Sequence, residues 1–178
     1  MKKKLEDMHL QERINYGYRK VIIMMLVSGL FSIIVIGVLF ANMFNYAENV
    51  SAADKAVKMC RINVNAAAIN IREMALNNDT SSYNDYELTV EKLLTDVDSQ
   101  LQIIKKSGVL SEADYNEYSS YLSQWGNIGY SIIENIKKGN KDKATEEILN
   151  KCTPALNKVV EKAISLDDIA DKESRKAA

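Results

Sequence analysis

Arg61, Asn65, Ala68 and Arg72 are separated by four, three and four residues. On an α-helix that spacing forms one stripe, with two guanidinium groups on the same face. An arginine so placed holds a carboxylate through two parallel N–H···O bonds, which a lysine does not reproduce. The competing reading for both arginines is a solvated face, or an ion pair such as that of Arg72 with a nearby acid. A second group of candidates surrounds Pro154, the only proline of the 178 residues. Inside a helix a proline donates no N–H and its ring pushes away the carbonyl four residues earlier, here that of Asn150. Acceptors between Leu149 and Thr153 then lose their helical partners and are free to receive an ammonium, with the Thr153 hydroxyl beside them. The alternative is that Thr153 caps a helix beginning at Pro154, leaving residues 141–152 as a separate short helix.

Other chemistry finds no support. There is no glycine-rich phosphate loop, no zinc-ligand spacing and no nucleophile with a histidine base. His9 is the sole histidine and a metal site needs several converging donors, so neither metal nor cofactor is expected. The paired acids Glu146-Glu147 and Asp167-Asp168 read as solvated helix surface, and an enzyme is not expected.

The elements that must position these residues begin with Val21–Phe40, VIIMMLVSGLFSIIVIGVLF, twenty positions without a charge. At about 1.5 Å per residue this covers roughly 30 Å, the thickness of a bilayer's hydrocarbon core. Tyr16, Tyr18, Phe44 and Tyr46 are the aromatic residues expected at its two interfaces. A cleavable signal has a shorter apolar core, and the one candidate cleavage site, Val50-Ser51-Ala52, lies far beyond this run, so an uncleaved anchor is expected. Six basic residues (Lys2, Lys3, Lys4, Arg13, Arg19, Lys20) against three acidic (Glu6, Asp7, Glu12) precede the span, so the N-terminus is expected to be cytoplasmic. Of 23 basic and 24 acidic residues in all, 17 and 21 then follow the span; this mildly acidic remainder is no partner for nucleic acid.

Residues 41–178 suffice for one domain. Their only glycines are Gly108, Gly126, Gly129 and Gly139, too few turns for a sheet, and the composition argues for long helices. Val50, Ala53, Val57, Cys60, Val64, Ala67, Ile71 and Met74 alternate steps of three and four, a heptad seam. No helix breaker separates it from Phe40, so the membrane helix is expected to continue until the turn formers Asn77 to Ser82, about 55 Å from the bilayer. A second helix is expected from Tyr83 to Lys106 with Val90, Leu94, Val97, Leu101 and Ile104 inward, stopped by Ser107-Gly108. A third begins at Ser111, with Asp114 reaching back in a weak capping box, and carries Tyr115, Tyr118, Leu122, Trp125, Ile132 and Ile136 before Gly139-Asn140 ends it. The tyrosines and Trp125 read as core or boundary residues in preference to an aromatic ligand cage.

A fourth helix from Lys141 to the chain end places Leu149, Cys152, Leu156, Val159, Ala163, Leu166 and Ala170 on one seam, with Ile148, Val160, Ile164 and Ile169 beside it. Short connections make the whole an up-down-up-down antiparallel four-helix bundle, all-α and continuous with the transmembrane helix. The first and fourth rods, residues 41–78 and 141–178, are equally long, about 57 Å, so the chain regains the membrane at its end and a second span is expected just beyond. Cys60 and Cys152 differ in axial level by about 10 Å, more than a disulfide allows, so two buried free thiols are expected.

A basic lead, one span running into a long helix, and a four-helix domain whose last helix returns to the membrane: this arrangement, with Arg61-Ile62-Asn63, Arg72 and Cys152-Thr153-Pro154, resembles the four-helix-bundle sensor domain of bacterial methyl-accepting chemotaxis receptors. The resemblance implies an N-terminal fragment of such a receptor: a cytoplasmic lead (residues 1–20), a transmembrane helix in contact with lipid (21–40) and an extracytoplasmic sensor (41–178) in the inner or plasma membrane. It further implies a homodimer packed along the first helices, with a small ligand of the amino-acid or organic-acid class at the interface near the distal end. Arg61, Asn65, Arg72, Asn150 and Thr153 are the ligand-binding candidates and Pro154 the helix kink. Independently, Ala52, Ala53, Ala56, Ala66, Ala67 and Ala68 make the first helix thin enough for close approach of a symmetry mate. In the aspartate- and serine-sensing members three arginines line this stretch; aligned on Arg61, the present chain has Ala66 and Asn70 at the other two, and aligned on the helix end it keeps only Arg72. The expected function is ligand sensing transmitted by a small displacement of the fourth helix. The alternatives are an input domain of a membrane histidine kinase or cyclase, or a single-span anchored helical protein that binds a partner protein.

Overall fold

The computed structural model describes the backbone of residues 9–177 and the side chains of residues 9–172; Lys2, Lys3, Lys4, Glu6 and Asp7, used above for orientation, and Ala178 lie outside the described residues. Five α-helices, α1 (Leu10–Leu76), α2 (Tyr83–Ser107), α3 (Glu112–Lys137), α4 (Lys141–Glu147) and α5 (Thr153–Ala177), are joined by a 3-10 turn at Thr80–Ser82 and a π-helical segment at Ile148–Cys152. Among the described residues there is no strand. The chain divides into two compact units, Met1–Asn45 and Tyr46–Ala178.

The first unit carries the only described helix long and apolar enough to cross a membrane. Every residue from 21 to 40 is exposed, so these side chains have no protein to pack against. Ser32 satisfies its hydroxyl inside the helix by donating to the Ser28 carbonyl at 2.9 Å.

The second unit is the bundle. All eight residues of the α1 heptad seam are buried, Val50 at 3% exposure being the most open. Each buried Val, Ile, Leu or Met of this kind stabilises the fold by about 1.5–3 kcal/mol relative to exposure. α1 stops where asparagine and aspartate capture the backbone. The Asp79 N–H donates to Asn77 Oδ1 at 2.9 Å, and the Asp79 carboxylate accepts from the Ser81 N–H at 3.0 Å and the Ser81 hydroxyl at 2.7 Å. Gly108 (φ 64°) and Gly139 (φ 80°) end α2 and α3 in the left-handed conformation that a side chain disfavours. Ser111 caps α3 by accepting from the Asp114 N–H at 3.1 Å, but the return contact differs from the expected box. Asp114 Oδ2 accepts from the Ser111 hydroxyl at 2.6 Å, and Oδ1 accepts from Lys162 of α5 at 2.8 Å.

Cross-bundle pairs establish the direction of each helix. Cys60 faces Val97 and Asn77 meets Tyr83, so α1 and α2 run oppositely. Glu87 pairs with Lys137, and Leu94 approaches Gly126, which does the same for α2 and α3. Arg61 pairs with Asp167 and Arg72 with Thr153, which makes α5 antiparallel to α1. The architecture is the up-down-up-down bundle read from the heptads.

Two expectations about the inner faces are corrected. The heptad spacing places Leu149 on the fourth seam, yet it is 63% exposed, while Ala144, Ile148, Cys152 and Leu156 are buried at steps of four. The cause is the π segment: five-residue turns carry the inward position one residue further than α winding would, so Ile148 takes the place predicted for Leu149. Of the six α1 alanines, Ala53, Ala56, Ala67 and Ala68 are buried inside the protomer's own bundle, so only half-buried Ala52 and Ala66 remain for a symmetry mate.

Candidate functional site

The predicted site residues fall on two levels of the α1–α5 seam. Eleven residues of α1 separate Arg61 from Arg72, roughly 16 Å along the axis. No single small ligand engages both guanidinium groups of one protomer.

At the Arg72 level α1 and α5 come together within one protomer. Arg72 Nη2 donates to Thr153 Oγ1 at 3.2 Å, and Thr153 Oγ1 donates to the Ile148 carbonyl at 2.9 Å. The hydroxyl thus relays between a cationic donor and the first carbonyl of the π segment. Ile148 also accepts the Thr153 N–H, so the N–H that would serve Leu149 in an α-helix is used one residue earlier. Asn150 would look to Pro154, which has none. The segment leading into the proline is therefore neither the separate short helix nor the plain kinked α-helix considered from the sequence. Helical winding is continuous from Lys141 to Ala177, and the mismatch is taken up as a π turn, a frequent device at functional positions. Asn150 is exposed on the outer side of that turn. Among the described residues no carboxylate pairs with Arg72, which is half-buried.

Behind this contact lie Cys152 and Trp125, exposed 1% and 0%. The indole N–H of Trp125 is buried and faces the Cys152 sulfur without a well-formed hydrogen bond. Burial pushes the Cys152 thiol up, and Trp125 and Arg72 draw it partly back, which places all three groups in one neighbourhood. The tryptophan reads from the sequence as plain core; the placement of its N–H beneath Arg72 and Thr153 carries no signal in residue spacing. The π turn is also held from below. Glu147 is only 8% exposed, accepts from Asn135 at 2.9 Å and from Lys151 at 2.9 Å, and its carboxyl sits below the usual range because of Lys151 and, more weakly, Asn135. Glu146 is exposed, so the expectation of two solvated acids holds for one of them only.

At the Arg61 level the ion-pair alternative is the one realised. Arg61 Nη1 lies 3.5 Å from Asp167 Oδ2, and the Asp167 side chain is 18% exposed, in contrast to the solvated surface assigned to it. Its neighbour Asp168 is exposed. Burial raises the Asp167 carboxyl above the usual range; Arg61 and Lys58 lower it, while Asp54 and Asp171 raise it further. Asn65 turns its amide back to the Arg61 carbonyl at 2.8 Å and is spent within the helix. Cys60 and Tyr118 complete this level: the thiol is pushed up to about 12 by burial, and the Tyr118 hydroxyl is buried without a hydrogen-bond partner. Cys60 and Cys152 are both free and buried, one beside Val97 and Tyr118, the other beside Trp125 and Arg72.

A family model described as the four helix bundle sensory module for signal transduction matches residues 7–178. The chain belongs to this family. Searches of curated proteins and of solved structures returned no match.

Proposed function

We propose that the chain is the ligand-sensing part of a transmembrane chemoreceptor, with the N-terminus cytoplasmic and the bundle outside, working as a homodimer packed along α1. The observation that carries this reading is the Arg72 guanidinium, held at the α1–α5 seam by Thr153 and facing no acid of its own bundle among the described residues. A carboxylate-bearing metabolite supplies that counter-charge, and the Thr153 hydroxyl and the carbonyls of Leu149 and Asn150 offer acceptors for an ammonium, as an amino acid would use.

A second seam on the outside of α1 supports the dimer. Lys55, Met59, Ile62, Ala66, Ile69, Glu73 and Leu76 alternate steps of four and three, and Ile62, Ile69 and Leu76 are 56%, 51% and 82% exposed. This is the a/d pattern of a parallel pair, with Ala66 small enough for close approach. Arg72 borders that stripe between Ile69 and Glu73, so a ligand on Arg72 sits where the second subunit packs. Occupancy that ties Arg72 of α1 to the Thr153 region of α5 favours one register of these helices over another, and packed interfaces switch between discrete registers.

The test is a thermal-shift screen of the folded full chain in detergent against amino acids, small organic acids and amines. A metabolite at one hundred times its Kd stabilises the native state by about 2.7 kcal/mol. That stabilisation is expected to vanish in Arg72→Ala. Absence of any stabilising compound for folded protein contradicts the reading.

A further inference from the structure

Away from Arg72, on the opposite side of the core, the surface between α2 and α3 opens into a groove of about 310 Å3. This lies at the lower end of the volumes that small-molecule sites occupy. Its floor is apolar, formed by Leu94, Val97 and Leu122, and its rim is polar, with Asp98 on α2 and Ser119, Ser123 and Asn127 on α3. The groove is open because α3 carries Gly126 at its centre, and this glycine is not demanded by packing. A Cβ built there meets only Leu94 Cδ1, at 3.9 Å, an ordinary contact. Gly129, one turn later, differs: its Cβ would stand 3.0 Å from Ile71 Cδ1 in the core. A glycine inside a helix costs about 0.5–1 kcal/mol relative to alanine, so a mid-helix glycine with room for a methyl group calls for a reason other than fit.

The chemistry of the rim selects the occupant. Neither lysine nor arginine lines the groove, and among the described residues no ion pair engages Asp98. Glu87, further along α2, is already matched by Lys137 at 2.7 Å. Tyr130 also lines the groove, and its phenol is held above the usual range first by burial and then by the carboxylates of Glu91, Asp98 and Glu87. Field and lining are thus acceptor-rich and negative around an apolar floor, which repels an organic acid and suits an amphipathic cation.

We propose that the α2–α3 groove is a second binding site, contained in one protomer, for a small organic cation consisting of an ammonium group on a short apolar body. Asp98 takes the charge, the Ser123 hydroxyl and the Asn127 amide oxygen take remaining N–H donors, and the body lies over Gly126 against Leu94 and Leu122. Tyr130 offers its ring face to the cation.

Equilibrium dialysis of the full chain in nanodiscs, with empty nanodiscs as the blank, tests this with phenethylammonium as the probe and phenylacetate as its counterpart of opposite charge. Phenethylammonium is expected to bind with a Kd below about 1 mM and phenylacetate not to bind. Asp98→Asn is expected to weaken the amine by about tenfold or more, the loss of a hydrogen bond to a charged group. Gly126→Leu, which fills the groove, is expected to abolish binding, whereas Asp168→Asn, a charge loss elsewhere on the surface, leaves it unchanged. No uptake of phenethylammonium by folded protein, or equal uptake by wild type and Asp98→Asn, overturns the proposal; should Gly126→Leu misfold, the Asp98 variant decides alone.

Discussion

The Arg72–Thr153 contact is open to a double-mutant cycle with Arg72→Met and Thr153→Val, both of which keep side-chain volume. Thr153→Val removes one hydrogen bond to the Ile148 carbonyl (2.9 Å) and one acceptor for Arg72 (3.2 Å). Ile148 keeps the Thr153 N–H, so its carbonyl is not orphaned. A net hydrogen bond is worth about 0.5–1.5 kcal/mol, and one to a charged group about 1.5–3 kcal/mol. Arg72 is half-buried and water replaces part of what it loses, so its bond is discounted to about 0.5–1 kcal/mol. Thr153→Val is therefore expected to cost about 1–2 kcal/mol and Arg72→Met about 0.5–1 kcal/mol, with a coupling of about 0.5–1 kcal/mol between them. Urea unfolding of the full chain in detergent, followed by far-ultraviolet circular dichroism, measures all three. In thermal scans each kcal/mol corresponds to roughly 3–6 °C for a domain of this size. Additivity within about 0.3 kcal/mol refutes the contact, and with it the α1–α5 element on which the sensing proposal rests.

Three further outcomes follow from other parts of the bundle. Gly126→Ala is expected to raise stability by about 0.5–1 kcal/mol, and Gly129→Ala to fall at least about 1 kcal/mol behind it, because only the second methyl presses on the core; paired denaturation curves decide. Asp167 has its carboxyl raised in the folded state, so the native protein binds more protons than the unfolded chain between the ordinary value of about 3.9 and the raised one. The Asp167 contribution to stability is thus expected to fall as pH rises through that window, more steeply in Arg61→Met, while Asp114, Glu117 and Glu147, whose carboxyls are lowered, act in the opposite sense; the urea midpoint of wild type minus that of Asp167→Asn, followed against pH, isolates it. Ile62→Arg with Ile69→Asp is expected to leave the protomer folded, since both side chains are exposed, and to convert dimer to monomer in light scattering; a retained dimer places the interface elsewhere.

The framework was legible because heptad spacing depends only on local winding. The α1 seam, the stops at Asn77, Gly108 and Gly139, and the Ser111 cap all follow from residue types within one or two turns of each other. The fourth rod was misread around Leu149 because a π turn changes the period over five residues, and a pattern fitted to 3.6 carries the error one position along. The site was legible in part. Arg72 and Thr153 stand among the candidates read from the sequence, but their direct contact inside one protomer is not read there, and Arg61 is matched by Asp167, an acid whose burial depends on which face α5 turns inward. Trp125 is missed for a similar reason: the placement of its N–H against Cys152 is a property of three-dimensional surroundings and leaves no mark in spacing. The groove beside Gly126 is likewise invisible in one dimension, because a glycine that packs and a glycine that leaves space look the same.

The central claim, that occupancy at Arg72 shifts α5 against α1, is tested most directly by pulsed electron paramagnetic resonance on the full chain. Labels are carried at Asn49→Cys and Glu161→Cys, both exposed positions of the bundle outside the α1 seam and the Arg72 site. The native thiols do not compete: Cys60 and Cys152 are buried, and Cys60 stays protonated with its titration near 12. Saturation with the metabolite selected by the thermal screen is expected to move the inter-label distance by about 1–2 Å in wild type and to leave it unmoved in Arg72→Ala. An unchanged distance distribution in saturated wild type contradicts the account.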